Sequence, residues 1–436
     1  MSKRTRMIRV APVAAAAICA LANFASLARA ADAQQPAEPF SLAPTDSPKY
    51  LDENLPSLAP GAPTSLNSNR APLMAALANV GVAQSLDQAR VNIYGYVEGS
   101  YTYNFNNPAQ GLNLGREFDI NDNRPQLNQA DLKIERKADP HQWDLGGMLE
   151  MNFGTDDRFI HSSGFFDHSN NPFSNSIDNG AEYQFDVPQI YLDLTAPWGK
   201  GVRFRFGKFL FFKQIDPNAS VFYSHSFTFG AALPFTLTGV TAYYQFNDQW
   251  SIEGGIARGW GQTLRDNNGA IDALGRVKYK INDKTEASLA LVIGPELDHD
   301  NSHYRTVLDG TVSYAMNDNL TLLADGVFGY EAEPSGTGDD YWYGLSGYAV
   351  YKVSDMLNVN ARGEFYRDEE GFTTGIPQTL FEATLGVTLT PFPNNDIGSN
   401  LKLRPEVRYD YSTGDYFNGL TKHSQFTMAV DAYFDF

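Results

Sequence analysis

Residues 143–153 alternate without a break. Trp143, Leu145, Gly147, Leu149, Met151 and Phe153 fall on one side of an extended chain, and Asp144, Gly146, Met148, Glu150 and Asn152 fall on the other. Successive side chains of a strand point to opposite faces, so this segment requires an apolar medium on one side and water on the other. Residues 400–411 repeat the pattern, with Leu401, Leu403, Pro405, Val407 and Tyr409 opposite Lys402, Arg404, Glu406, Arg408 and Asp410. About eleven residues is the length of a tilted strand that crosses a bilayer.

Turns supply a second regularity. Asn247-Asp248, Asn282-Asp283 and Asn317-Asp318 recur every 35 residues, and Ser354-Asp355 follows after nearly the same interval. Asn and Asp tolerate tight-turn backbone and accept hydrogen bonds from their own chain. Each interval holds two strands and one longer polar segment, at 261–270, 295–302 and 331–339. No blade motif is shared between intervals, which argues against a propeller or solenoid. Strand starts are expected near 91, 128, 143, 186, 201, 236, 250, 271, 284, 303, 319, 340, 356, 379, 400 and 422. The fold class is therefore all-β: a transmembrane antiparallel up-and-down β-barrel of about sixteen strands, wide enough for a water-filled interior. Closure removes the unpaired edges that lipid cannot satisfy.

The ends of the sequence agree. Lys3, Arg4, Arg6 and Arg9 precede an Ala-rich apolar run from Val10 to Leu21, and Ala28-Arg29-Ala30 offers a small-x-small cleavage site. Residues 1–30 read as a secretory signal peptide. It contains Cys19, the one cysteine of the sequence, so the mature chain is expected to have neither disulfides nor thiolate metal sites. Residues 31–90, rich in Pro, Ala, Ser, Gln and Asn over their first half, read as a flexible periplasmic extension, with a short helix weighed for 71–89 on Leu73, Leu77, Val80 and Leu86. The barrel occupies 91–436. Its last strand alternates Val430, Ala432, Phe434 and Phe436 with Asp431, Tyr433 and Asp435. A final Phe is how outer-membrane barrels usually end, so this strand is the expected handle for the barrel assembly machinery. Formal charge, −18 for the whole sequence, becomes about −23 without the signal peptide, and no basic face suggests a nucleic-acid partner.

Three stretches carry a family resemblance. The first is Gly95-Tyr96, Tyr101-Thr102-Tyr103-Asn104-Phe105-Asn106 and Pro108. The second is Asn113, Arg116, Phe118-Asp119 and Asn128-Gln129-Ala130. The third is Gly207-Lys208-Phe209, Pro234, Thr238-Gly239-Val240, Gly255 and Gly259-Trp260. Together, over about 94–270, they resemble the outer-membrane β-barrel porin family of the OmpL-like type. The resemblance implies a channel for passive diffusion of small hydrophilic solutes and ions, surrounded by outer-membrane lipid and lipopolysaccharide. It also implies an inward-folded third long loop and a homotrimer. It supplies no catalytic residues and does not cover the extension.

Three loops, at about 105–127, 154–185 and 210–235, are far longer than the rest, and the third is too apolar to stand in water. Facing rows of opposite charge along the lumen would order water and disfavour apolar solutes. The pore-lining or constriction candidates are Arg203, Arg205, Lys208, Lys213, Asp216, Lys133, Glu135, Lys402, Arg404 and Arg408. Arg136, Arg258 and Lys208 have the wrong parity for the lumen, which calls for a rim position or a bulge at Gly207. Acid-rich loops predict a mild preference for cations at the mouths. A hydrolase would need a nucleophile beside an oriented histidine. His303, on one strand face with Arg305 and a distant Ser313, and His161-Ser162-Ser163, in a loop, make poor candidates and read as surface residues. Asp119–Asn123, Asp266–Asn268 and Asp298–Asn301 lack the spacing of a calcium loop. No catalytic residue, cofactor or metal site is therefore expected. A non-conducting adhesin or structural barrel shares the same alternation and stays open at this point.

Overall fold

The computed structural model describes residues 70–165, 182–212, 220–334 and 338–436. The expected signal peptide, most of the extension, and candidates Lys213 and Asp216 lie outside the described residues. The strands are β1 (Val91–Asn104), β2 (Arg124–Arg136), β3 (Asp144–Gly154), β4 (Gln184–Ala196), β5 (Val202–Leu210) and β6 (Thr236–Gln245). They continue with β7 (Trp250–Ala257), β8 (Asp272–Asn282), β9 (Thr285–Gly294), β10 (Arg305–Ala315) and β11 (Leu320–Glu331). The ring ends with β12 (Asp340–Ser354), β13 (Leu357–Asp368), β14 (Gln378–Leu389), β15 (Leu401–Ser412) and β16 (Ser424–Asp435). Each strand pairs antiparallel with its sequence neighbours, and β16 returns to β1, which closes the barrel. At the seam Gly99 faces Ala432. Past it, Phe436 N–H donates to the Gly95 carbonyl at 2.8 Å and Gly95 N–H to that of Phe436 at 3.0 Å.

The alternation read from the sequence sets the two faces. Leu145, Leu192, Leu345 and Leu385 stand exposed on the outer wall, while Glu150, Asp193, Ser346 and Glu382 on the same strands are buried inside. Trp143, Trp198 and Phe204 cluster near the short turns, and Phe365, Phe381 and Tyr411 near the long loops. An apolar wall bounded by aromatic rings at both ends suits a bilayer, whose interfaces favour amphipathic rings. The turns work as their residues require. Asn247 Oδ1 accepts from Gln249 and Trp250 N–H, Asn317 Oδ1 from Asn319 and Leu320 N–H, and Asn282 Oδ1 from Lys284 N–H.

Two short helices, α1 (Pro72–Asn79) and α2 (Ala83–Ala89), precede β1. Met74 and Ala83 are their buried residues, and Val80 between them is exposed, so the one helix weighed for 71–89 is two, interrupted after Asn79. The Met74 sulfur accepts the Ile93 N–H at 3.4 Å, on a part of β1 that has no partner in β16. Covering an open strand edge in this way prevents it from pairing with another chain.

Candidate functional site

The interior is built by the inner wall and by loops that dip into it. Phe222 and Tyr223 of the third loop are buried, as its apolar character requires. A short helix, α3 (Phe227–Gly230), begins at Ser226, whose hydroxyl accepts from Phe229 N–H. Its first N–H groups have no intrahelical partner. Glu364 on β13 takes them, Oε2 from Phe227 N–H at 2.8 Å and Oε1 from Thr228 N–H at 2.7 Å. Three arginines of the wall hold the loop's carbonyls. Arg362 donates to Ser224 at 2.7 Å, Arg404 to Ser220 at 3.0 Å and Arg408 to His225 at 2.5 Å. The other ends of these guanidiniums rest on Glu382, Asp431 and Asp410 respectively. The loop is thus tied to β13 and β15 by charge-assisted hydrogen bonds, the stronger kind.

The other two long loops also enter. Arg116 of the first loop is buried between Asp119 and Asp410, 2.8 Å from the latter. Glu117 beside it has a carboxyl pushed up to about 8 by burial and the nearby Asp119 charge. In the second loop Asp156 accepts from Asn128 at 2.9 Å and Gln129 at 3.0 Å. Burial pushes the next carboxyl, Asp157, well above the usual carboxylate range, and the Asp186 and Asp156 charges add to this.

The wall from β5 to β8 keeps more contact with water. Arg203 faces Tyr243, Tyr243 faces Glu253 and Glu253 faces Arg276 in one register row. Arg276 reaches Glu253 at 3.0 Å, and Arg205 reaches Asp193 at 2.9 Å. Each of these guanidiniums lies over a ring: Arg203 over Tyr243, Arg205 over Tyr191 and Arg276 over Phe212. Towards the short turns, Lys278 meets Glu286 at 3.6 Å and Lys280 meets Asp283 at 2.8 Å. At the long-loop end an open cleft of about 610 Å³ is lined by Glu296, Asp298, Asp300, His303 and Glu333.

Of the sequence candidates, Arg203 and Arg205 lie together on this wetter wall. Lys133 on β2 sits with Glu150 at 3.4 Å and Asp131 at 3.7 Å, and Glu135 accepts from Tyr94 at 3.3 Å. Lys402, Arg404 and Arg408 are buried on β15. Lys208, whose parity pointed to lipid, has no exposed side chain and pairs with Asp186 at 2.9 Å. Gly207 before it adopts a φ of +137°, a conformation open to glycine at little cost. Arg136 pairs with Asp144 where β2 meets a short turn, and Arg258 with Asp266 in a loop, so both avoid mid-bilayer.

Two readings are corrected. His303 is not on a strand with Ser313: it precedes β10 and pairs with Asp300. His161 is not on the surface but buried, 3.4 Å from Asp186. Among the described residues, no group of three His, Cys, Asp or Glu is placed to hold a metal. Arg116, named above only for the resemblance, is a buried interior residue absent from the pore-lining candidates. Its local signal is an Arg three residues before an Asp, with Phe118 between them, in one of the three long loops.

Comparison with known proteins bears on this arrangement. The family model described as "Putative beta-barrel porin-2, OmpL-like" matches residues 90–436. No curated protein matches the chain. Among solved structures, the chain is similar to an anion-selective porin from Comamonas acidovorans, at 14% identity and a TM-score of 0.55, covering 79% of this chain and 99% of the other. It is also similar to OprB of Pseudomonas putida, at 11% identity and a TM-score of 0.55, covering 82% and 97%. A trimer form of OmpT from Vibrio cholerae matches at 14% identity and a TM-score of 0.50, covering 79% and 99%. At these identities the structures attest to the barrel fold.

Proposed function

Because the chain belongs to the OmpL-like beta-barrel porin-2 family, an outer-membrane channel family, we propose that it passes small hydrophilic solutes and ions by passive diffusion along the β5–β8 wall. The observation that carries this reading is the uneven burial of the interior. Side chains of β13 to β16 and β1 are locked against the inserted loops, whereas Arg203, Tyr243, Arg276 and Lys278 keep part of their surface in water. A water-filled strip beside a tethered loop admits solutes by size and polarity, with no chemical step. The arrangement reads as a channel rather than an enzyme.

The route to the membrane belongs to the same proposal. Residues 1–30 would be removed as a signal peptide, and the strand that ends in Phe436 would engage the assembly machinery. Three copies would then associate in lipid and lipopolysaccharide, by analogy with the trimer form of OmpT. The test is swelling of liposomes that contain the folded chain. Neutral sugars of increasing size should enter at falling rates. Absence of swelling for even the smallest sugar would overturn the diffusion reading.

A further inference from the structure

We propose that residues 155–163 of the second long loop form a pH-sensitive stopper inside the barrel, docked while Asp157 is neutral and released once it is charged. Docking and release stand whether or not the barrel conducts. Only their effect on current rests on the channel reading.

Backbone contacts fix the two ends of the segment. Thr155 N–H donates to the Leu127 carbonyl of β2 at 3.0 Å, and Ser163 N–H to the Gly261 carbonyl, beyond β7, at 2.7 Å. The Thr263 and Ser162 hydroxyls meet at 3.0 Å beside the second contact. The segment therefore reaches from the end of β3 to the loop after β7, at the long-loop end of the wall proposed for solutes. Its single helical turn, Asp157–Ile160, buries Asp157, Arg158 and Ile160. Ile160 and Phe159 pack with Phe118 of the first loop and Phe229 of the third. This apolar burial holds the segment in place until an unfavourable charge opposes it.

Asp157 is where that charge arises. It is 0% exposed, and among the described residues neither of its carboxyl oxygens has a hydrogen-bond partner. Asp186 on β4, Glu150 on β3 and Asp156 on its own segment face it, against Lys208 on β5. That lysine is committed to Asp186 at 2.9 Å, and Glu150 is shared with Lys133 at 3.4 Å. Arg158 is engaged elsewhere: its Nε donates to the Thr155 carbonyl at 2.9 Å, and its guanidinium lies over the Phe159 ring. A neutral carboxyl fits this place, whereas a carboxylate would be a further buried negative charge with no donor. Burial also pushes Asp156 up, to about 7, but Asn128 and Gln129 donate to its charge. The docked Asp157 carboxyl titrates well above the usual range, and the released one, in water, within it. Docking is therefore complete at low pH and is lost as pH rises through the docked value. His161 stands 3.4 Å from Asp186, where a protonated imidazole would favour docking in the same direction, so a His161→Gln variant separates the two.

The test is trypsin cleavage after Arg158, which is buried while the segment is docked, in the full mature chain folded in detergent at pH 7.5 and pH 9.5. Cleavage after Lys200, exposed in a short turn, corrects for the protease's own response to pH. Each pH unit above the docked value multiplies the released population by about tenfold. Corrected cleavage after Arg158 should therefore rise by about tenfold or more in the parent and in His161→Gln. It should stay low in Asp157→Asn, which keeps the shape of the side chain and remains neutral. In planar bilayers the parent should pass larger current steps at pH 9.5 than at pH 7.5, a difference that Asp157→Asn should lack. Equal protection of Arg158 at both pH values in the parent, or an equal rise in Asp157→Asn, would overturn the switch. A rise in the parent that Asp157→Asn lacks, with no current at any pH, would establish the switch and overturn the channel reading instead.

Discussion

Replacing Glu364 by Ala should free the third loop without breaking the barrel. Glu364 accepts the two leading N–H groups of α3 at 2.8 and 2.7 Å. Hydrogen bonds to a charged acceptor contribute about 1.5–3 kcal/mol each, so the pair contributes roughly 3–6 kcal/mol to loop attachment. Water entering the vacated space would satisfy part of the loss, which leaves about 2–3 kcal/mol. At about 1.4 kcal/mol per tenfold, the detached loop would become some 30- to 150-fold more populated. The barrel ladders on either side of β13 do not involve the side chain, so the folded form should survive, as judged by heat-modifiable migration on a gel. In single-channel records, Glu364→Ala should show more open-channel noise and more frequent closures, and Glu364→Gln, which keeps one acceptor oxygen, should fall between. Records of Glu364→Ala that match the parent in noise, closure rate and conductance would refute the claim that this carboxylate tethers the loop.

Three further outcomes follow from the same geometry. Gly207→Val forces a branched side chain into a φ of +137° and sets its Cβ about 2.2 Å from the Ile190 carbonyl oxygen; loss of most folded barrel on refolding is expected, and a normal yield would contradict it. Lys208→Met removes the buried cation that faces Asp186, Glu150 and Asp157, and should lower stability to denaturant by about 3–5 kcal/mol, with Lys208→Arg recovering part of it. Glu117 should make stability fall as pH rises: its folded carboxyl titrates near 8 and its unfolded one in the ordinary carboxylate range, so between those values the folded state holds the extra proton. The denaturation midpoint should therefore drop from pH 5 to pH 8.5, and Glu117→Gln should flatten that slope; an equal slope in both chains would exclude Glu117 as its source.

The strands are legible because two media impose their period. Every residue of Trp143–Phe153 answers to lipid or to water, and nothing nearby competes, so β3 begins at Asp144 beside the expected 143. The start of β2, at Arg124 instead of 128, is less so. A register shift beside Glu98 and Gly99 puts both Asn128 and Gln129 inside, and a period cannot reveal a bulge. Lys208 is misplaced by parity for a related reason, since parity assumes a regular backbone and Gly207 departs from it.

The site is legible only in part. Arg203 and Arg205 stand out by parity on a strand leading into an apolar loop. Their partners Asp193 and Tyr243 follow from neighbouring strands, so simple pairing nearly finds them. Arg116 meets Asp410, 294 residues away, and Arg408 meets His225, 183 residues away. Contacts of that kind arise from loops folding across the lumen, and no local pattern encodes them. The first and second loops are long and polar in sequence, yet they bury Arg116 and Asp157 inside the closed barrel, where Arg116 adds Asp410 of the wall to Asp119 of its own loop.

Single-channel recording of the mature chain in a planar bilayer tests the central claim most directly. Stable, stepwise currents from protein that migrates as a folded barrel are the predicted result, since the β5–β8 wall would border a continuous aqueous path. A folded barrel that inserts and passes no current at any applied voltage would contradict a diffusion channel.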